Sequence, residues 1–390
     1  MTQRNLTKIG KREKITLAKI SGPVKIAKGA TIIAEQDTIV IDGKIRNKGG
    51  FSCKGNLQAR SIEVKKGSLK ISGDLTVDQD IEIDRKLEIQ GSLQADEVSA
   101  GTKVKILQDA TCEKISAGMR VSISGKTKVN SINAGVKIIL DGTSNVEKIS
   151  AGTKFISKAN CTIDNISAGT RVKVTTGTFG KINSGMTIKA SDSVNIGTAS
   201  AGTRILLLND ATVGKANAGM FIKIKGKAQL ESISTGMSIR FLSKAIGTTI
   251  SAGMRILGRD DIILSDSLSA GLACKTRGKL EAAKIKAGKK IKAKKIQAND
   301  VTIGKNGRII GVVIADSVLL QERARAKNIY CNILEMYERS KAKNVYADTI
   351  IIEDKAKLRG KIQYTKELNA EEKAKIKGEP KKVKNLPKIK

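Results

Sequence analysis

The residues with the types and spacing for chemistry form an acidic block: Asp74, Asp78, Asp80, Glu82, Asp84, Glu88, Asp96 and Glu97. Only two basic residues, Arg85 and Lys86, interrupt it. Asp78, Asp80, Glu82 and Asp84 recur at i, i+2, so one strand face could carry them all, as calcium binding or acid/base catalysis would need. They alternate with Val77, Ile81 and Ile83. That is also what the solvated face of a half-buried strand requires, and it is the reading adopted. Gly125-Lys126-Thr127 supplies the ending of a phosphate-binding loop, but the glycine needed five residues earlier is Arg120. There is no His anywhere in the 390 residues, so no Ser or Cys has an imidazole partner for acyl transfer. No enzyme, cofactor, metal or small-molecule substrate is expected.

A second constellation is basic. Lys103, Arg120, Lys137, Lys154, Arg171, Arg204, Arg255 and Lys290 each fall two residues after a recurring glycine, and between Arg277 and Lys295 nine basic residues meet one acid. Stacked in register, these side chains would form a stripe of cations about 5 to 10 Å apart, comparable to phosphate spacing. The partners such a stripe fits are nucleic acid or an anionic membrane. The formal net charge of +35 agrees with this, although a Lys-rich surface needs no partner to exist.

What must position that stripe is a repeat. The tetrapeptide I-S-A-G, or a near variant, places its glycine at Gly101, Gly118, Gly135, Gly152, Gly169, Gly185, Gly202, Gly219, Gly236, Gly253, Gly271 and Gly288. The interval is about 17 residues throughout, a period that marks a stacked coil. Counting places from the apolar residue before Ser, places 1, 3, 7, 9 and about 15 are apolar and alternate with polar ones. This is the period of strands, not helices. Each unit therefore reads as two or three short strands and one turn of a narrow coil. Place 4 glycine is expected to supply a positive φ or a tight corner. Place 2, Ser or Asn in eleven of twelve copies, reads as a structural polar ladder.

The fold class is all-β: an elongated, single-stranded parallel β-helix, or β-solenoid, of about 17 residues per coil. Aromatic content of 2% suits a thin core of Val, Ile, Leu and Ala. The expected divisions are a basic segment at 1–19, a solenoid over 20–364 with its regular repeats at 98–297, and a disordered Lys-rich tail at 365–390. About twenty coils would make a rod roughly 100 Å long. Five cysteines without a C-x-x-C pair read as small apolar fillers. No run is long and apolar enough to span a bilayer or to form a secretory signal core, which reads as cytoplasmic.

Residues 298–364 carry a resemblance. IGKNGRIIGVVIADSVLL, with Gly304, Gly307 and Gly311, and the closing ADTIIIEDKAKLRGKI, with Ala356 and Gly360, resemble the bactofilins, bacterial cytoskeletal proteins that form polymers. The resemblance implies a right-handed, roughly triangular β-helix that assembles end to end into filaments without nucleotide. It also implies a peripheral place at the inner membrane and recruitment of cell-envelope proteins. The chain departs from the family in its several-fold longer solenoid and its lack of proline-rich flanks. On this reading a terminal coil exposes unpaired strand edges, the chief partner is a second copy of the chain, and Ile350, Ile352, Leu358 and Ile362 form the junction.

Overall fold

The computed structural model describes residues 6–387, and among these it contains strands and turns but no helix. The chain forms two compact units, Met1–Ile196 and Gly197–Lys390, and each is a parallel β-solenoid. In the first unit, Lys103–Ile106 pairs in parallel with Arg120–Ile123, which pairs with Lys137–Leu140. In the second, Phe221–Ile224 pairs with Ser238–Phe241, and that strand with Arg255–Gly258. In each of these pairs the register partners are one turn apart along the chain, so each residue stacks on its equivalent in the next turn.

Alternation decides what goes inside. In the turn from Ile115 to Ser131 the inward residues are Ile115, Ala117, Val121, Ile123, Thr127 and Val129, all buried. Each belongs to one of three short sides, so the core is a column two residues deep per side. Such a column has little slack. Where place 7 becomes the large Phe155, the inward residue two positions on is Ser157, where the preceding turn has Leu140. Where place 9 becomes Phe241, its partner in the next turn is Gly258. Volume is thus redistributed along the column. Two turns replace the place 3 Ala with a hydroxyl residue, and each hydroxyl finds carbonyls: Ser184 Oγ donates to Thr170 O at 2.9 Å and Thr235 Oγ1 to Met220 O at 2.8 Å.

Of the two roles expected of the repeat glycines, a positive φ and a tight corner, the corner is the one they serve. None of those at place 4 is among the positive-φ residues. Instead, a Cβ added to Gly118, Gly135, Gly169, Gly219 or Gly253 would lie 2.0 to 2.1 Å from the carbonyl oxygen of the glycine one turn earlier. At this corner the backbones approach too closely for any side chain. The left-handed conformation occurs elsewhere: Asn328, Asn344 and Gly360 turn a corner in successive coils with φ of 52°, 54° and 78°. Asn344 Nδ2 donates to Asn328 Oδ1 at 2.9 Å and so ties two of those corners together.

Both expected boundaries of the solenoid move outward. Thr7–Ile9 pairs with Val24–Ile26 and Lys14–Leu17 with Thr31–Ala34, so strand pairing begins well before residue 20. At the other end Thr349–Ile352 pairs with Glu367–Ala370, Lys357–Arg359 with Lys375–Lys377, and Ile362–Tyr364 with Pro380–Lys382. The segment from 365 to 382 is therefore a further turn rather than a disordered tail; residues 388–390, and 1–5 of the basic segment, lie outside the described residues. The described lysines of this segment, Lys366 to Lys384, are exposed, while Leu368 and Ile376 keep the alternation and stack on Ile350 and Leu358.

Candidate functional site

The acidic block is a set of surface groups and caps. Asp74 Oδ1 accepts the Ser92 N–H at 2.7 Å and Asp84 Oδ2 the Lys66 N–H at 2.6 Å. Glu88 pairs with Lys103 and Glu97 with Lys114, at 3.3 and 3.0 Å. Among the described residues no three His, Cys, Asp or Glu side chains are placed to hold a metal ion. The phosphate-loop fragment is a corner of the same kind: the Lys126 N–H donates to Asp109 Oδ1 at 2.7 Å. Lys227 with Asp210 and Lys279 with Asp261 repeat that arrangement. A Gly-Lys pair here marks a corner whose exposed N–H is capped from the turn below.

The five cysteines are free and buried. Burial pushes the Cys53 and Cys112 thiols up to about 12 and raises those of Cys161, Cys274 and Cys331 as well. Thiols held neutral in this way are poor nucleophiles.

The basic column exists, in two separate stretches. In the first unit Lys86, Lys103, Arg120, Lys137, Lys154 and Arg171 are register partners on six consecutive turns. Partial burial and then its like-charged neighbours Lys154 and Arg120 lower the Lys137 pKa. In the second unit Arg204 is followed by Phe221 and Ser238, and Arg255 by Ala273, so these two cations stand apart. From Lys290 the column resumes and runs beyond the repeats that revealed it, through Arg308, Arg325, Lys341, Lys357 and Lys375.

A second column beside it was not expected. Lys327, Lys343, Arg359 and Lys377 sit two residues after the last four of these, in register, and are exposed. The signal was present as R-A-K, K-A-K, K-L-R and K-I-K, one in each successive turn. A ladder counted from the I-S-A-G glycine does not reach it, because that motif ends at Gly288. The Lys357 pKa is lowered chiefly by Lys341 and Lys375 above and below it, with Arg359 and Lys377 adding to the effect.

The four residues expected at a junction are core. Ile350, Ile352, Leu358 and Ile362 are at most 1% exposed and are covered by Leu368, Ala370, Ile376 and Pro380 of the next turn. Among the described residues the strands paired on one side only are Lys375–Lys377 and Pro380–Lys382 at that end, and Thr7–Ile9, Lys14–Leu17 and Lys19–Ile20 at the other. The two edges differ in degree. In the second unit Lys375, Lys377, Pro380, Lys381 and Lys382 are all exposed around half-buried Ile376, and Lys and Pro are the residues that protect a sheet edge. In the first unit Lys8, Lys14 and Lys19 are exposed as well, but the edge adds Leu6, 47% exposed, to half-buried Ile15, Leu17 and Ile20.

Comparison with family models, with curated proteins and with solved structures gave no match.

Proposed function

We propose that this chain is a structural scaffold, not an enzyme, and that it associates with further copies of itself through the strand edge of its first turn. The observation that carries this reading is the incompletely buried apolar set Leu6, Ile15, Leu17 and Ile20 on and beside strands that pair on one side only. An edge of that composition gains both backbone hydrogen bonds and apolar burial by pairing with another chain. The bactofilin-like reading, a nucleotide-free cytoskeletal filament in the cytoplasm near the inner membrane that gathers other proteins, belongs to the same proposal. A continuous filament also needs the Lys- and Pro-guarded edge at residues 375–382, so salt that screens those lysines favours it.

The test is sedimentation of the full chain and of an Ile15→Glu, Leu17→Glu variant. The parent is expected to associate and the variant to remain monomeric. A parent that sediments as a monomer over a hundredfold concentration range contradicts the proposal.

A further inference from the structure

The charge of the C-terminal turns is segregated. On the strand side that opens each turn the outward residues are Arg325 and Lys327, then Lys341 and Lys343, then Lys357 and Arg359. Lys375 and Lys377 continue the series. On the next side the equivalent residues are Tyr330, Tyr346 and Gln363, and on the third they include Ile333, Thr349 and Glu367. A surface filled indifferently with Lys would not concentrate its cations on one side in this way. The first turns of the chain offer a contrast. There the column Lys8, Lys25, Arg46 ends in Glu63, whose carboxylate is bound by Lys44 and Lys65 at 2.7 and 2.9 Å.

We propose that this doubled basic side is a docking surface for the phosphate backbone of duplex nucleic acid, bound without regard to sequence. Three properties of the surface select that occupant. With turns about 4.8 Å apart, two cations per turn give about one charge per 2.4 Å along the stack, close to the one per roughly 1.7 Å of a duplex. From Arg325 to Lys375 the doubled stripe spans about 14 Å, roughly four base pairs, and the single column continues it through Arg308 to Lys290. From Arg325 to Lys377 its outward places hold no aromatic residue on which an unpaired base could stack.

A bilayer fits less well, because these places hold no apolar side chain to enter it.

The test uses the full chain, a fluorescent 20-base-pair duplex of arbitrary sequence, and vesicles in which one lipid in three is anionic and the rest zwitterionic. Binding of the duplex should weaken with salt at a log–log slope of about −4 or steeper, corresponding to four or more neutralised phosphates. A K341Q/K343Q/K357Q/R359Q variant should bind at least tenfold more weakly at moderate salt. A K148Q/K181Q/K215Q/K244Q variant, which loses the same charge from exposed sites elsewhere, should stay within threefold of the parent. Lysine acetylation of the parent should show Lys341, Lys343 and Lys357 protected by duplex, a readout that needs no variant. Equal weakening of the two variants, absence of that protection, or binding to vesicles but not to duplex would each overturn the proposal.

Discussion

Gly152 stacks on Gly135 so closely that a Cβ on Gly152 would lie 1.9 Å from the Gly135 carbonyl oxygen. The distance sets what the corner tolerates. Since φ at Gly152 is not positive, the missing side chain matters for its volume and not for backbone freedom. Gly152→Ala should therefore destabilise the fold by about 2 to 4 kcal/mol, and Gly152→Asn at least as much. Where φ is the constraint, as at Asn344, replacement by Gly should cost no more than the two lost hydrogen bonds, to Asn328 Oδ1 and from the Lys361 N–H, about 1 to 2 kcal/mol together. Thermal unfolding of the three variants distinguishes the two kinds of corner.

Thr127 offers a change in the opposite direction. Its side chain is 3% exposed in the core column, and among the described residues Oγ1 has no hydrogen-bond partner. Thr127→Val keeps the shape and removes a buried polar atom. It should raise stability by about 1 kcal/mol, measured by chemical denaturation.

A charge at the buried Ile352 should unfold the last turns rather than act on a junction. With Ile352 1% exposed beneath Ala370, Ile352→Asp is expected to cost about 4 kcal/mol or more. Limited proteolysis should then cut after residues beyond 352. A variant that keeps the protease resistance of the parent would refute the placement of the turn at 365–382.

Acid should loosen the first turns. Hydrogen bonds from Lys44 and then Lys65 hold the Glu63 carboxyl at about 2, below its ordinary 4.5. A depressed folded-state pKa means a stabilisation present above the ordinary value and lost as pH falls from there toward the depressed one. Amide exchange in strands Thr31–Lys48 and Phe51–Lys65 should speed up through that window, and Glu63→Gln should flatten the response.

Much of the fold was legible in the residues themselves. Alternation of apolar and polar positions and the glycine recurring once per turn carried the strand period and the turn length, because a stacked coil repeats its environment at each turn. Which of the two expected roles Gly118 or Gly135 fills was not legible, since close approach and positive φ both exclude a side chain and only the stacking tells them apart. The last turn was hidden by its lysines: Leu368 and Ile376 keep the period, but edge-protecting Lys and Pro resemble the composition of a disordered tail. The pairing of Lys341 with Lys343 on one side does not show in a ladder counted from the repeat glycine, which those turns lack. The core position of Ile350 and Ile352 follows from the same hidden turn.

Electron microscopy of the purified chain at low and high salt, beside the Ile15→Glu, Leu17→Glu variant, tests the central claim most directly. Particles joined through one end at low salt, longer filaments at high salt, and single particles of the variant under both conditions are the predicted result. Single particles of the parent at both salts, or assemblies of the variant indistinguishable from those of the parent, would contradict it.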